Sequence, residues 1–277
     1  MSYGKSIELF LVNGSAEGLI TAELSNWNGK AIKISRTEVN ACKREDIRGV
    51  GVYFLICQEE DGTDSVYIGE AENVLDRLEQ HLRDYQAEKE KYYWNTAVIF
   101  VGRDLNKALI RYLENRLVDI AKACGRFKIL TKNTYKNTVL KESQIATMEE
   151  FIENVKILIN TLGYKVLVPV PSANDETVYL YCKGSGSEAK GFLSTGGLTV
   201  LAGSKISEKT VPSLENRGKS YFKLRNALIE EGVIVDRVFV RDYEFKAPSA
   251  ASAVLMGHTS NGNVDWKTED GVKLKDL

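Results

Sequence analysis

The sequence predicts an α+β protein built of two domains, and three observations support that prediction. Apolar, β-branched segments at residues 51–57 and 66–68 are separated by the turn dipeptide Asp61-Gly62, which is typical of an antiparallel hairpin. Longer segments with apolar residues at helical spacing follow this hairpin. A stretch at residues 163–175 carries two of the four prolines, and we expect it to link the two domains.

Residues 1–48 predict a β-rich extension that precedes the hairpin. Short apolar segments at residues 7–12, 19–24 and 31–34 are typical of strands. The polar stretch at residues 37–48 is long enough for one short helix. We expect this extension to pack on the domain that follows it or to lengthen its sheet.

A first helix is predicted after Asn73, whose side chain is suited to cap it. Its buried face is defined by four residues at helical spacing, Leu75, Leu78, Leu82 and Tyr85. Arg77 and His81 lie four residues apart on the neighbouring stripe of this helix. A further strand is predicted at residues 96–101.

A second helix is predicted at residues 105–123, with Asp104 as its cap and Gly125 as its stop. Glu114 lies within the apolar stripe of this helix. An unpaired carboxylate there is costly and needs a partner or a cation. Two interpretations remain open, namely a salt bridge with Arg111 or the binding of a metal ion.

A basic run begins in the last turn of the second helix and continues beyond it, with no acidic residue inside it. Its members are Lys122, Arg126, Lys128, Lys132, Lys136 and Lys141. Lys132 and Lys136 are candidate contacts for a phosphate-containing substrate. A third, amphipathic helix is predicted at residues 147–162.

The overall composition is that of an ordinary globular protein, with a net charge of −1 that does not by itself indicate nucleic acid as a partner. The four cysteines form neither a CxxC pair nor a Cys/His cluster, so we expect reduced thiols in a cytoplasmic protein. We find no signal peptide and no apolar run of about 20 residues, and therefore expect no membrane association.

The set Tyr53, Tyr67, Arg77, His81 and Glu114 contains the groups that phosphodiester cleavage requires. A carboxylate can hold a divalent cation, and a planar guanidinium suits phosphate geometry. A tyrosine hydroxyl can relay a proton. One carboxylate implies one metal ion held mostly by water and substrate, as is usual for Mg²⁺. Taken singly, each residue also has a structural interpretation, as a strand aromatic, a solvated cation or a surface histidine.

In their order and spacing these residues resemble the GIY-YIG endonuclease superfamily. Gly51-Val52-Tyr53 resembles the GIY motif, and Tyr67-Ile68-Gly69 resembles the YIG motif. Arg77 matches the catalytic arginine of the family, and His81 matches the helix residue four positions further on. Glu114 matches the metal-binding glutamate.

The resemblance extends over about residues 49–164 and implies a nuclease-like domain at residues 49–165, with a three-stranded antiparallel sheet flanked by helices. It implies DNA as the substrate and a tyrosine as the general base. It also implies one Mg²⁺ or Mn²⁺ ion in each active site, bound by Glu114.

Asn133 is the best match to the asparagine that closes the family fold, and Asn137 competes with it. Asn133 is therefore a candidate substrate-binding residue together with Lys132, Lys136 and Gly69. Gly69 belongs to this set because a side chain at the end of the second strand would obstruct whatever approaches the sheet.

Residues 176–277 predict an accessory α+β domain. Its predicted elements are strands at 177–182, 191–193, 198–201 and 233–240 and helices at 221–231 and 249–256, the last capped by Ser249. Segments such as Lys219-Ser220-Tyr221-Phe222-Lys223-Leu224-Arg225 resemble an uncharacterised module that often follows GIY-YIG domains in bacterial proteins. The stretch from residue 205 to residue 225 is locally basic, which fits a solvated face or a DNA-holding surface.

The sequence therefore predicts a metal-dependent endonuclease that hydrolyses DNA phosphodiester bonds, in restriction, repair or mobile-element defence. The alternative is a catalytically weak nucleic-acid-binding or scaffold protein that retains the nuclease fold. The choice between DNA and RNA stays open, as does the choice between one cut strand and two. A homodimer would allow double-strand cleavage, and so would two successive visits to the DNA.

Overall fold

The computed structural model describes residues 3–58, 63–132, 139–216 and 218–277. These residues fall into two compact units, the first comprising residues 3–58 and 64–168 and the second comprising Thr63 and the described residues from Pro169 to Leu277. Strands and helices occur in both units, which confirms the predicted α+β class. The N-terminal extension belongs to the same unit as the region that carries the candidate site residues.

The first unit is built on one large sheet. Its strands are β1 (Ile7–Leu11), β2 (Ile20–Leu24), β3 (Gly29–Ser35), β4 (Gly51–Gln58), β5 (Asp64–Ala71), β6 (Trp94–Gly102) and β7 (Lys128–Ile129), and its helices are α1 (Val74–Gln86), α2 (Lys107–Cys124) and α3 (Glu142–Thr161). Two short 3-10 helices, Arg36–Ala41 and Glu45–Arg48, replace the single helix that was expected at residues 37–48.

Among the described residues the sheet has seven strands in the order β1-β2-β3-β6-β4-β5-β7. Neighbouring strands are antiparallel except β5 and β7, which are parallel. The extension lengthens the sheet, because β3 pairs with β6 from Gly29 opposite Gly102 to Ser35 opposite Thr96. The resemblance implied three strands, and β6, β4 and β5 form such an antiparallel set within the larger sheet.

Strand β4 is buried on both faces, and its alternation decides where its tyrosine lies. Val52 and Phe54 belong to the core that includes α2 and α3. Tyr53 and Leu55 belong to a second core on the opposite face, which includes Leu78 of α1. Because successive side chains of a strand point to opposite faces, Tyr53 is placed against α1.

Helix boundaries follow the predicted caps in part. Asn73 caps α1 as predicted, since its Oδ1 accepts the N–H of Asp76 at 3.2 Å. The prediction that Asp104 caps α2 is wrong. Asn106 does so, because its Oδ1 accepts two N–H groups of the first turn at 3.0 and 3.2 Å. Gly125 ends α2 as predicted, in the left-handed conformation with φ of 65°.

The second unit is a separate arrangement of short strands and helices. Its strands are β8 (Tyr179–Gly184), β9 (Ser187–Ser194), β10 (Gly197–Val200), β11 (Ile234–Val235), β12 (Val238–Phe239) and β13 (Tyr243–Phe245), and its helices are α4 (Pro212–Asn216), α5 (Lys219–Glu230), α6 (Pro248–Met256) and α7 (Gly262–Asp265). Strands β13, β10, β9 and β8 form a sheet in that order.

Two predictions for the second unit are wrong. The strand expected at residues 233–240 is a tight hairpin of β11 and β12, because Asp236 and Arg237 both have positive φ, of 49° and 68°. Ser249 does not cap α6, which begins one residue earlier at Pro248 with Ala247 in the cap position. Proline fits the first turn of a helix because it needs no hydrogen-bonding N–H there.

The helices of both units lack the combination of length and apolarity that would let one of them cross a bilayer, as far as the described residues extend. None of the four cysteines forms a disulfide bond, and Cys57, Cys124 and Cys182 are buried.

Candidate active site

The two tyrosines of the candidate site are brought together by the pairing of β4 with β5. Tyr53 lies directly opposite Gly69 in the register of these strands. A Cβ atom added to Gly69 would lie 2.5 Å from the Tyr53 hydroxyl oxygen and 2.8 Å from Cε1 of Tyr67. The glycine is therefore required because the ring of Tyr53 occupies the space over it.

This geometry corrects the reason given for Gly69 from the sequence. Gly69 does not end its strand, since β5 continues to Ala71. A side chain at this position would collide with two tyrosines of the chain itself. A direct role of Gly69 in substrate binding stays a prediction.

We expect Gly69→Ala to lower the free energy of unfolding by about 1–3 kcal/mol, because an extra methyl group in a filled core forces its neighbours to move. Chemical denaturation measures the change. Gly49→Ala is the matched control, since its added Cβ comes no closer than 3.6 Å to the nearest atoms, and it should shift stability by less than about 0.5 kcal/mol. Equal stability of the two variants would contradict this packing account.

An aromatic cluster surrounds His81, which is fully buried one helical turn after Arg77. The ring centroids of Tyr53 and Tyr67 lie 5.6 and 5.1 Å from that of His81, both edge to face. The rings of Tyr67 and Tyr92 are nearly parallel, with centroids 5.7 Å apart. The structure thus brings together three residues that the sequence proposed and adds Tyr92, which it did not.

The imidazole of His81 lies in a chain of hydrogen bonds. Its Nε2 is 2.8 Å from the hydroxyl oxygen of Tyr53. Its Nδ1 is 2.7 and 2.9 Å from the two carboxylate oxygens of Glu90. Sequence reasoning missed Glu90, because residues 86–91 carry no periodic signal and the contact arises from a reversal of the chain after α1.

Arg77 lies beside the hydroxyl groups of both strand tyrosines. Burial raises the pKa of Tyr53 well above its ordinary value and also raises the pKa of Tyr67, while the guanidinium of Arg77 lowers both. Burial lowers the pKa of Arg77, but the two phenol oxygens outweigh this and raise it overall. Arg77 therefore stays charged, and neither tyrosine ionises at neutral pH without a base.

Glu114 is 5% exposed, on the face of α2 that packs against the sheet. Its Oε2 accepts no hydrogen bond from the residues that the structure describes. Burial, and to a lesser extent the nearby charge of Glu70, raise the pKa of Glu114 to about 7, although Arg111 and Arg77 oppose the shift. A buried carboxylate with an unfilled acceptor oxygen is costly unless a cation or donor completes it.

The sequence suggested a salt bridge between Arg111 and Glu114, but the structure shows Arg111 close to Glu70. The Nε atom of Arg111 lies 3.6 Å from Oε1 of Glu70, the residue after Gly69. Burial raises the pKa of Glu70, and Arg111 and Lys107 lower it. Sequence reasoning missed Glu70, although its position directly after the second tyrosine motif places it on the same strand as Tyr67.

The arrangement fits one divalent cation, since the unfilled oxygen of Glu114 lies in the field of a second carboxylate, Glu70. Within the described ranges no group of three or more His, Cys, Asp or Glu side chains is gathered to hold a metal ion. A cation here would be held by one or two carboxylates and otherwise by water and substrate, as Mg²⁺ often is.

Lys132 is exposed and directly follows Thr131, which lies beside β5. The hydroxyl of Thr131 accepts the N–H of Ile68 at 2.8 Å and donates to its carbonyl at 2.7 Å, which fixes this part of the chain beside the YIG-like motif. Asn133 and Lys136 lie outside the described residues, as does Asn137. The substrate-binding roles of these residues stay predictions.

Comparison with known family models gives one match, which covers only the C-terminal part of the chain. A family model described as a domain of unknown function, DUF4357, matches residues 180–277. The matched segment lies within the second unit and does not include the candidate active site. No curated protein and no solved structure matches the chain.

Proposed function

We propose that the first unit is a metal-dependent endonuclease that hydrolyses phosphodiester bonds of DNA, in restriction, repair or mobile-element defence. The observation that carries this proposal is the buried Glu114. Its Oε2 accepts no hydrogen bond from the described residues, and its carboxylate interacts electrostatically with Arg77 and Tyr67. A carboxylate, a charged fork and a phenol are the groups that bind, orient and deprotonate the reactants of phosphodiester hydrolysis.

The proposed cofactor is one Mg²⁺ or Mn²⁺ ion held by Glu114, with Glu70 beside it. When bound, such an ion supplies Lewis-acid stabilisation of the phosphoryl oxygens. Its positive charge also favours ionised Glu114, whose pKa burial raises to about 7.

The residues of the chain would divide the remaining work. Arg77 remains charged and presents two N–H groups in one plane, which suits two oxygens of a phosphate. The phenol of Tyr53, or that of the half-buried Tyr67, would take a proton from the attacking water. Surrounding aromatic rings exclude bulk water and strengthen the electrostatic interactions among these groups.

Incubation of the purified protein with supercoiled plasmid tests the proposal. We expect nicked plasmid with Mg²⁺ and intact plasmid with a chelator. The second candidate, a nucleic-acid-binding protein without catalysis, is favoured by the net charge of −1, since a free nuclease usually carries more basic surface. Plasmid that is retarded in a gel but stays uncut in Mg²⁺ would favour that candidate.

The basic stretch of the second unit offers four exposed lysines for phosphate contacts, Lys205, Lys209, Lys219 and Lys223. Arg225 also belongs to the basic stretch, but it is only 4% exposed. It donates hydrogen bonds to the carbonyl oxygens of Val254 and Ser207, so it stabilises the fold instead. Arg217 lies outside the described residues. We propose that the four lysines add DNA affinity without taking part in the chemistry.

Replacing these four lysines by glutamine should lower the slope of log K against log salt by about 3.6, because each phosphate contact contributes about 0.9. A salt titration of DNA binding in a Glu114→Gln background measures the slope without cleavage. The control replaces Lys183 and Lys275, which pair with Glu188 and Asp276 at 2.7 and 3.3 Å. Equal slopes for the four-lysine variant and the control would mean that these lysines do not contact phosphates, and the surface would then be assigned to dimerisation or to a protein partner.

A further inference from the structure

We propose that Glu90 is a positioning residue that holds His81 in the Nδ1–H tautomer, so that Nε2 of His81 accepts the hydroxyl proton of Tyr53. The two bonds to Glu90, at 2.7 and 2.9 Å, and the bond to Tyr53, at 2.8 Å, lie at opposite ends of one imidazole ring. This inference rests on the proposed function and assigns a role to a residue that the sequence did not single out.

The tautomer follows from the chemistry of the partners. An ionised carboxylate only accepts hydrogen bonds, so Nδ1 must donate to Glu90 and therefore carries a proton. In the neutral ring Nε2 then bears the lone pair, and Tyr53 must be the donor. The hydroxyl oxygen of Tyr53 keeps its lone pairs for Arg77 and for a reactant.

Glu90 is held in place by the chain around it. The N–H groups of Lys89 and Glu90 both donate to the carbonyl oxygen of Asp84, at 2.9 and 3.3 Å. This reversal needs a positive φ at Glu88, which is 57°. The hydroxyl of Tyr92 forms a hydrogen bond with the Glu90 carboxylate. Burial is the main cause that raises the pKa of Tyr92, and the negative charge of Glu90 raises it further. The carboxylate side chain is only 17% exposed.

Tyr53 needs such a base because burial raises its pKa well above the ordinary value of a phenol. In the proposed step the attacking water forms the new O–P bond and loses one proton to the oxygen of Tyr53. The original proton of Tyr53 passes to Nε2 of His81, and the resulting imidazolium keeps its Nδ1–H bond to Glu90. The electron pair of the broken P–O bond stays on the leaving sugar oxygen, which takes a proton from solvent.

Nuclear magnetic resonance of ¹⁵N-labelled histidine reads the tautomer directly, and the chain has only two histidines. We expect His81 to show a protonated Nδ1 and a non-protonated Nε2 in the native protein. His258 is half-buried, its Nδ1 lies 3.0 Å from the carbonyl oxygen of Thr259, and it serves as an internal reference. A non-protonated Nδ1, or two protonated nitrogens at neutral pH, would overturn the inference.

Glu90→Ala should release the tautomer and lower the rate of plasmid nicking by about tenfold to a hundredfold, less than the loss expected from removing the base itself. Glu90→Gln keeps the volume and an acceptor oxygen, so it should keep the tautomer but still slow nicking, because an amide cannot stabilise imidazolium. Glu79→Gln removes one charge from α1 at a residue whose carboxylate lies 3.7 Å from Arg83, and it should change neither measurement.

The two arms separate the inference from the proposed function. If both Glu90 variants nick plasmid at the native rate, the positioning role is wrong although the protein is a nuclease. If the native protein shows the expected tautomer and cuts no DNA, the proposed function is wrong and the proton relay falls with it. Glu90→Gln keeps the test decisive if Glu90→Ala does not fold.

Discussion

Glu114→Gln is expected to reduce plasmid nicking by about 10³-fold or more, because it removes the buried carboxylate proposed to hold the metal ion. Glutamine keeps the shape of the side chain and one oxygen but loses the charge. The rate of nicking in Mg²⁺ measures the effect. Nicking by Glu114→Gln at the native rate would contradict the assignment of Glu114 as the metal ligand.

The same substitution should raise the free energy of unfolding at about pH 8 in the absence of divalent cations. The pKa of Glu114 is raised from 4.5 to about 7 in the folded protein, so its ionised form is penalised there. The penalty is absent below the unfolded pKa, grows as the pH rises from 4.5 and is complete above about 7. A shift of this size corresponds to about 3 kcal/mol.

Denaturation of both proteins at about pH 4 and pH 8 tests this sign. The native protein and Glu114→Gln should differ little at the lower pH, and the variant should be the more stable at the higher. Glu149→Gln is a control for which the change in stability at about pH 8 should have the opposite sign. Nε of Arg116 donates to Oε1 of Glu149 at 2.6 Å and lowers the pKa of this carboxyl, so its negative charge stabilises the fold. Lower stability of Glu114→Gln at about pH 8 would show that the carboxylate has a partner in the fold.

Arg77→Lys is expected to lose nearly as much activity as Arg77→Ala, about 10²- to 10³-fold. Lysine keeps the positive charge but loses the planar fork that can bind two phosphate oxygens and contact two tyrosine hydroxyls. Arg83→Lys on the same helix is the control, because its side chain is 57% exposed and pairs with Glu79. Recovery of most activity by lysine would reduce the role of Arg77 to that of a point charge.

Sequence patterns of short range predicted much of the fold. Asn73 caps α1 and Gly125 ends α2, because both features depend on a few consecutive residues. The cap of α2 was misplaced at Asp104, whose Oδ2 instead accepts a hydrogen bond from Nδ2 of Asn28 at 3.1 Å. That contact links residues far apart in sequence, so no local pattern could indicate it.

In the candidate site too, features of short range were predictable from the sequence and contacts of long range were not. The strand pairing that joins Tyr53 to Gly69 and the helical spacing of Arg77 and His81 were readable in the chain. Glu90 and Glu70 were not. Glu90 reaches His81 only because the chain reverses after α1. Glu70 reaches Arg111 only because α2 packs against β5.

Cleavage in ¹⁸O-labelled water tests the central claim most directly. Native protein with Mg²⁺ and a duplex DNA should yield products in which each new terminal phosphate carries one ¹⁸O atom, because water is the proposed nucleophile. Products should be absent with chelator and reduced to background with Glu114→Gln. Unlabelled product phosphates, or equal product from native protein and Glu114→Gln, would contradict the account.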